Sequence, residues 1–126
     1  LPAKGGRTRD VGKYVGGCPE LVVEVAATSR SIDLGVKLAE YERAGALEYV
    51  VFVLGPDEVF WYVRQGDRLV QVAPGPDGTY QSTAFPGLWL DPVALFADDG
   101  LALLATLDRG LATPDHTNFV ADLAAR

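Results

Sequence analysis

The residues in this chain best suited to chemistry are one glutamate in an apolar run and one lysine downstream of it. The run Leu21-Val22-Val23-Glu24-Val25-Ala26-Ala27 is β-branched and apolar apart from Glu24, and Pro19 and Thr28-Ser29 bound it. That is the composition of a strand buried inside a sheet. Alternation along a strand puts Glu20, Val22, Glu24 and Ala26 on one face, so two carboxylates share a side. A buried carboxylate is costly unless something answers its charge, and either a metal ion or a lysine would do so. Lys37 stands one helical turn after Asp33 and one turn before Tyr41, so all three can line one side of a helix. If that side faces the strand, Lys37 reaches Glu24. The plainer reading makes Asp33 and Lys37 a surface pair worth about 0.2–0.5 kcal/mol, and Glu24 a strand-end carboxylate partly in solvent. Spacing alone favours the plainer reading.

The elements that must position these residues are legible in outline. Residues 31–44 carry a helical period in Ile32, Leu34, Leu38 and Tyr41. Ser29 or Ser31 supplies the N-cap, Asp33 falls in the first turn, and Gly45 is placed to stop the helix. Residues 47–54, 58–64 and 68–73 read as strands joined by the turn chemistry of Gly55-Pro56-Asp57 and Gln65-Gly66-Asp67, which gives a meander of hairpins. Phe60-Trp61-Tyr62 puts aromatics on both faces of its strand, as suits a strand covered twice, by its own helices or by a partner. Residues 1–18 are Gly-rich and charged and read as a loop with at most one short turn. Residues 79–85 form a weaker strand, and Leu88, Trp89 and Leu90 pack on the sheet, with Trp89 as core. Two helices close the chain. The first covers 93–109 and breaks near Asp98-Asp99-Gly100, and the second covers 114–125 with Thr113 as N-cap and Pro114 at its first position.

A length of 126 residues with 48 % hydrophobic content suits one domain over residues 1–126. No apolar run approaches the roughly 20 residues of a membrane span, and the first residues hold no apolar secretion segment, so a soluble protein is expected. A lone Cys18 forms no internal disulfide, which points to a reducing, cytoplasmic compartment and gives Cys18 no assigned role. The net charge of −6 counts against a surface that grips phosphate backbones. Yet Lys4, Arg7, Arg9, Lys13, Arg30, Lys37 and Arg43 cluster early in the chain, which leaves room for a local basic face. His116 reads as a surface or near-cap residue of the last helix.

Taken in order, several blocks carry a resemblance: Pro19-Glu20-Leu21-Val22-Val23-Glu24-Val25-Ala26, Asp33, Lys37-Leu38, Tyr41, Ala44-Gly45, Glu48-Tyr49, Phe85-Pro86-Gly87-Leu88-Trp89-Leu90-Asp91 and Gly110-Leu111-Ala112-Thr113-Pro114-Asp115-His116. From about Gly5 to its end the chain resembles the bacterial Uma-two family of the PD-(D/E)XK nuclease superfamily. The resemblance implies an α/β (α+β) fold, with a restriction-endonuclease-like mixed sheet flanked by helices, a β-meander and C-terminal helices, and it sets the Glu24 strand inside the sheet. It makes Glu24 the acid of the (D/E)XK element. The lysine of that element normally follows two residues later, where Ala26 stands, and Lys37 matches the family's migrated lysine.

The activity implied is hydrolysis of nucleic-acid phosphodiester bonds with Mg²⁺ or Mn²⁺, on DNA in preference to RNA. Glu24 and Lys37 would be catalytic and Asp33 and Tyr41 would position Lys37. Glu24 would hold the metal with help from Glu20, and both Glu20 and Asp10, the other nearby acid, rank below Glu24. The family's first acid, the Asp of a Pro-Asp element, belongs on a strand upstream of the Gly-rich loop and is not in this sequence, so little or no activity is expected of these 126 residues. A sheet without that strand would leave an edge open, hence an expected homodimer. The rival reading is a non-catalytic, self-associating domain that keeps the nuclease fold. A nucleic-acid binder without cleavage is disfavoured by the acidic balance.

Overall fold

The computed structural model describes residues 5–12, 14–28 and 30–126, without the side chains of Asp10, Tyr14 and Val15. The chain divides into two compact units, one ending at Val72 and the other beginning at Ala73. Among the described residues no helix is long and apolar enough to cross a membrane.

The first unit opens with a short antiparallel hairpin of β1 (Arg9–Val11) and β2 (Tyr14–Gly16), where the composition suggests only a loop. Next come β3 (Leu21–Ala26), α1 (Arg30–Asp33), α2 (Val36–Ala44), β4 (Glu48–Val53), β5 (Glu58–Gln65) and β6 (Arg68–Val72). The sheet order is β3-β4-β5-β6, with β3 parallel to β4 and the later pairs antiparallel. A parallel pair requires a crossover, and α1 with α2 provides it; the tight turns seen in the sequence leave β4 to β6 as the expected meander. A four-stranded mixed sheet with helices is an α+β architecture consistent with a restriction-endonuclease-like fold.

One expectation fails. The Glu24 strand is not interior: β3 lies at the edge, bonded on one side only to β4 among the described residues. The strand with both faces filled is β4, where Tyr49, Val50, Val51 and Val53 are all buried. In β3, by contrast, Val23 and Val25 are 49 % and 61 % exposed. An apolar β-branched run reports strand propensity; which partner lies on each side is settled by distant parts of the chain.

The expected single helix over 31–44 is also broken in two. Leu34 and Gly35 form a turn between α1 and α2, and Gly35 takes the N-cap place of α2 with no side-chain cap. A Cβ on Gly35 would come 2.7 Å from the Ser31 carbonyl oxygen, so the turn can close only around a glycine. Ser31 lies inside α1, and Ser29, the alternative cap, is outside the described residues. The stop at Gly45 is as expected: φ is +91°, and its N–H bonds back to the carbonyls of Tyr41 and Glu42.

Register decides what faces the helices. Val22, Glu24 and Ala26 pair with Tyr49, Val51 and Val53, so these six share one face. On that face Ala26, Tyr49, Val51, Val53, Tyr62 and Leu69 form the core, with Leu34, Leu38 and Tyr41 packed against it from the helical crossover. The crossover is fastened at its far end by Arg64 of β5, which donates from Nε to the Ala46 carbonyl (2.7 Å) and from a terminal nitrogen to the Glu42 carbonyl (2.6 Å).

The second unit contains a small hairpin, β7 (Tyr80–Gln81) with β8 (Trp89–Leu90), and three helices, α3 (Pro92–Phe96), α4 (Gly100–Leu111) and α5 (Pro114–Ala125). Asp91, Asp99 and Thr113 cap them with their side chains. The break expected near Asp98-Asp99-Gly100 is therefore a true helix boundary. Gly110 is buried against Trp89, where a Cβ would lie 2.7 Å from the indole. His116 rests its ring Nδ1 on the Pro86 carbonyl at 2.9 Å, a structural contact.

Candidate functional site

Four of the side chains singled out from the sequence meet at one place. Glu24 projects from β3 on the face that carries the core, and Lys37 and Tyr41 project toward it from successive turns of α2. The Lys37 ammonium lies 3.0 Å from Asp33 Oδ1 and 3.4 Å from Glu24 Oε1. The Tyr41 hydroxyl donates to the same Glu24 oxygen at 3.3 Å. The break at Gly35 does not spoil this alignment, because Asp33 at the end of α1 still stands one turn before Lys37.

Exposure is graded across the group. The Asp33 side chain is 1 % exposed, that of Glu24 26 % and that of Lys37 37 %. The cluster is thus closed on the core side and open to solvent at the ammonium. The bond to Asp33, and after burial's opposing effect the nearby charges of Asp33 and Glu24, raises the Lys37 pKa, so the ammonium is held charged at neutral pH. Burial, then the Glu24 charge, raises the Tyr41 phenol, which therefore acts here as a neutral donor. The position two residues after Glu24, Ala26, is fully buried in the core. A lysine there would displace that packing, so the cation has to come from the crossover.

Tyr49, part of one block of the resemblance, was given no role from the sequence, yet it holds the cluster in place. Its buried hydroxyl donates to the Asp33 backbone carbonyl at 2.9 Å. Its ring is 5.0 Å from that of Tyr41 and 6.2 Å from that of Tyr62, which makes a file of three tyrosines under the site. Burial foremost, then the neighbouring carboxylates, drives the Tyr49 phenol well above its ordinary range, so it remains a proton donor. The available signal was a single hydroxyl placed by alternation among the apolar residues of β4.

Glu20 does not join the cluster. It precedes β3, and four residues of strand separate it from Glu24 by about 13 Å at roughly 3.3 Å per residue. Its carboxylate instead accepts from the Arg7 backbone N–H at 2.8 Å. Burial pushes its pKa up, and that bond with the Arg7 charge outweighs the push and leaves it lowered. The Asp10 side chain lies outside what is described. Glu24 and Asp33 are the carboxylates at hand, both already on Lys37. Among the described residues no group of three or more His, Cys, Asp or Glu side chains is placed to hold a metal ion. These residues therefore do not by themselves fit the Mg²⁺ or Mn²⁺ that the resemblance implies.

A family model described as "Uma2: Putative restriction endonuclease" matches residues 2–94. No curated protein and no solved structure matches the chain.

Proposed function

The chain belongs to the Uma2 restriction-endonuclease family, and from that premise we propose that it is a nuclease domain that hydrolyses phosphodiester bonds of nucleic acid, DNA in preference to RNA, through Glu24 and Lys37. The observation that carries the reading is the Lys37 ammonium, charged, partly open to solvent and held between two carboxylates on the core face of β3. A backbone phosphate entering from the solvent side meets a fixed cation, which binds its non-bridging oxygens and stabilises the charge that builds there as water attacks. Glu24 is placed to orient that water. Asp33 and Tyr41 position the pair, one through Lys37 and the other through Glu24. The family's usual chemistry uses a divalent metal, and Mg²⁺ or Mn²⁺ is the cofactor we propose for the whole reaction.

Both units are taken as parts of one restriction-endonuclease-like domain, which is supported by a family match that runs through the boundary at Val72 and Ala73. A cytoplasmic setting accords with the lone Cys18. A second reading, a non-catalytic self-associating domain, is favoured by the outer edge of β3, which carries no further strand among the described residues, with Val23 and Val25 exposed beside it, and a homodimer is proposed on the same ground.

Plasmid cleavage in Mg²⁺ or Mn²⁺ tests the reading. In a chain lengthened to carry the family's first acid, Glu24→Ala and Lys37→Ala should each lower the rate on the order of 10²-fold or more, as loss of a group acting on transition-state charge does. Unchanged cleavage by Glu24→Ala would discard the assignment. Equal, undetectable activity in the lengthened chain and both of its variants would favour the non-catalytic reading.

A further inference from the structure

The family implies a divalent cation, whereas the two carboxylates brought together at this site, Glu24 and Asp33, both contact a cation that the chain supplies itself. Asp33 Oδ1 and Glu24 Oε1 lie 3.0 and 3.4 Å from one nitrogen, Lys37 Nζ. A hard divalent ion would approach carboxylate oxygens to about 2.0–2.6 Å, and so would have to occupy nearly the point where that nitrogen sits. Two positive centres cannot share such a space without strong repulsion. Nor can Asp33 turn to solvent to bind elsewhere, since its side chain is 1 % exposed and its backbone is tied to Tyr49.

We propose that the Lys37 ammonium is the resident cation of the Glu24 and Asp33 carboxylates, and that it excludes divalent metal ions from them in the free protein. The inference rests on reading these residues as the functional site, but not on their catalysing anything. Its consequence is that an uncharged residue of similar length at position 37 uncovers a two-carboxylate cation site that the unaltered chain lacks.

The experiment is a titration with Mn²⁺ alone, without nucleic acid, in which the paramagnetic resonance signal of free Mn²⁺ reports binding. The unaltered chain, Lys37→Arg, Lys37→Met, Lys37→Gln and the double variant Glu24→Gln/Lys37→Met are compared, with circular dichroism confirming that each is folded. Lys37→Met and Lys37→Gln should gain one site on the order of ten-fold tighter than anything in the unaltered chain. Lys37→Arg, which keeps the charge, should gain none, and the double variant should lose what Lys37→Met gained. A site in the unaltered chain as tight as that in Lys37→Met would overturn the proposal, because Lys37 would then not compete. No gain in either folded uncharged variant would overturn it as well, because the carboxylates would then not form a cation site. The functional reading fails separately: if the chain lengthened to carry the family's first acid cleaves no nucleic acid while Lys37→Met still shows the gain, the assignment as a nuclease is lost and the resident cation is kept.

Discussion

Tyr49→Phe removes one oxygen and leaves the ring, so it isolates the bond that ties the Asp33 backbone to the sheet. Tyr49 is 0 % exposed and Asp33 1 % exposed, and the hydroxyl donates at 2.9 Å. A bond of this kind contributes a net 0.5–1.5 kcal/mol, and a buried carbonyl that loses its donor adds a desolvation cost of about 1–3 kcal/mol. That carbonyl lies where α1 ends, so part of the cost can be relieved by a shift of the Leu34-Gly35 turn, and the expected loss is about 1–2 kcal/mol. For a unit of this size that corresponds to roughly 4–8 °C in Tm for each kcal/mol. Urea unfolding gives the free energy directly, and the fluorescence of Trp61 in the first unit and Trp89 in the second separates local from global loss. Tyr62→Phe is the control: the ring belongs to the same file, while the bond to the Asp33 carbonyl is carried by Tyr49. A Tyr49→Phe loss no larger than that of Tyr62→Phe would refute the argument that this bond fastens α1.

Arg64→Met should cost about 2–3 kcal/mol in the same urea assay, because it strips a charged donor from the Glu42 and Ala46 carbonyls while keeping most of the aliphatic stem; a loss under about 0.5 kcal/mol would show that solvent replaces it. The raised Lys37 pKa fixes the sign of a pH effect: its stabilisation is fully present below the unfolded lysine value of about 10.4 and fades as pH rises through the higher folded value. The stability difference between the unaltered chain and Lys37→Gln should thus be flat from neutral pH to about 10 and shrink above it, as read by urea unfolding at a series of pH values. A difference that shrinks between about pH 6 and 9 would assign the effect to another group.

The grouping of Glu24, Asp33, Lys37 and Tyr41 was open to the sequence because two short-range periods permit it, although spacing alone leaned to a plain surface pair. Alternation in β3 sets the face of Glu24, and a spacing of four in the crossover stacks the other three. Glu20 was misgrouped by the same alternation, since sharing a face is not sharing a place: side chains four apart on a strand are a full site's width from each other. The hairpin of β1 and β2 was missed because each strand is only three residues long and stands in a Gly-rich, charged stretch that reads as loop.

What the sequence by itself determined are the quantities set within a few residues: the strands of the meander, the αL stop at Gly45, the cap at Thr113, and the break before α4. Each is a local preference of φ, ψ or a capping bond, and no distant partner is needed to satisfy it. Only the tertiary structure decided that β3 stands at the edge while β4 fills the centre, that Gly35 divides the crossover, and that Tyr49 holds Asp33 from beneath. Those outcomes depend on which surfaces of residues far apart in the chain meet, and an apolar run such as 21–27 is compatible with either place in a sheet until its neighbours are chosen.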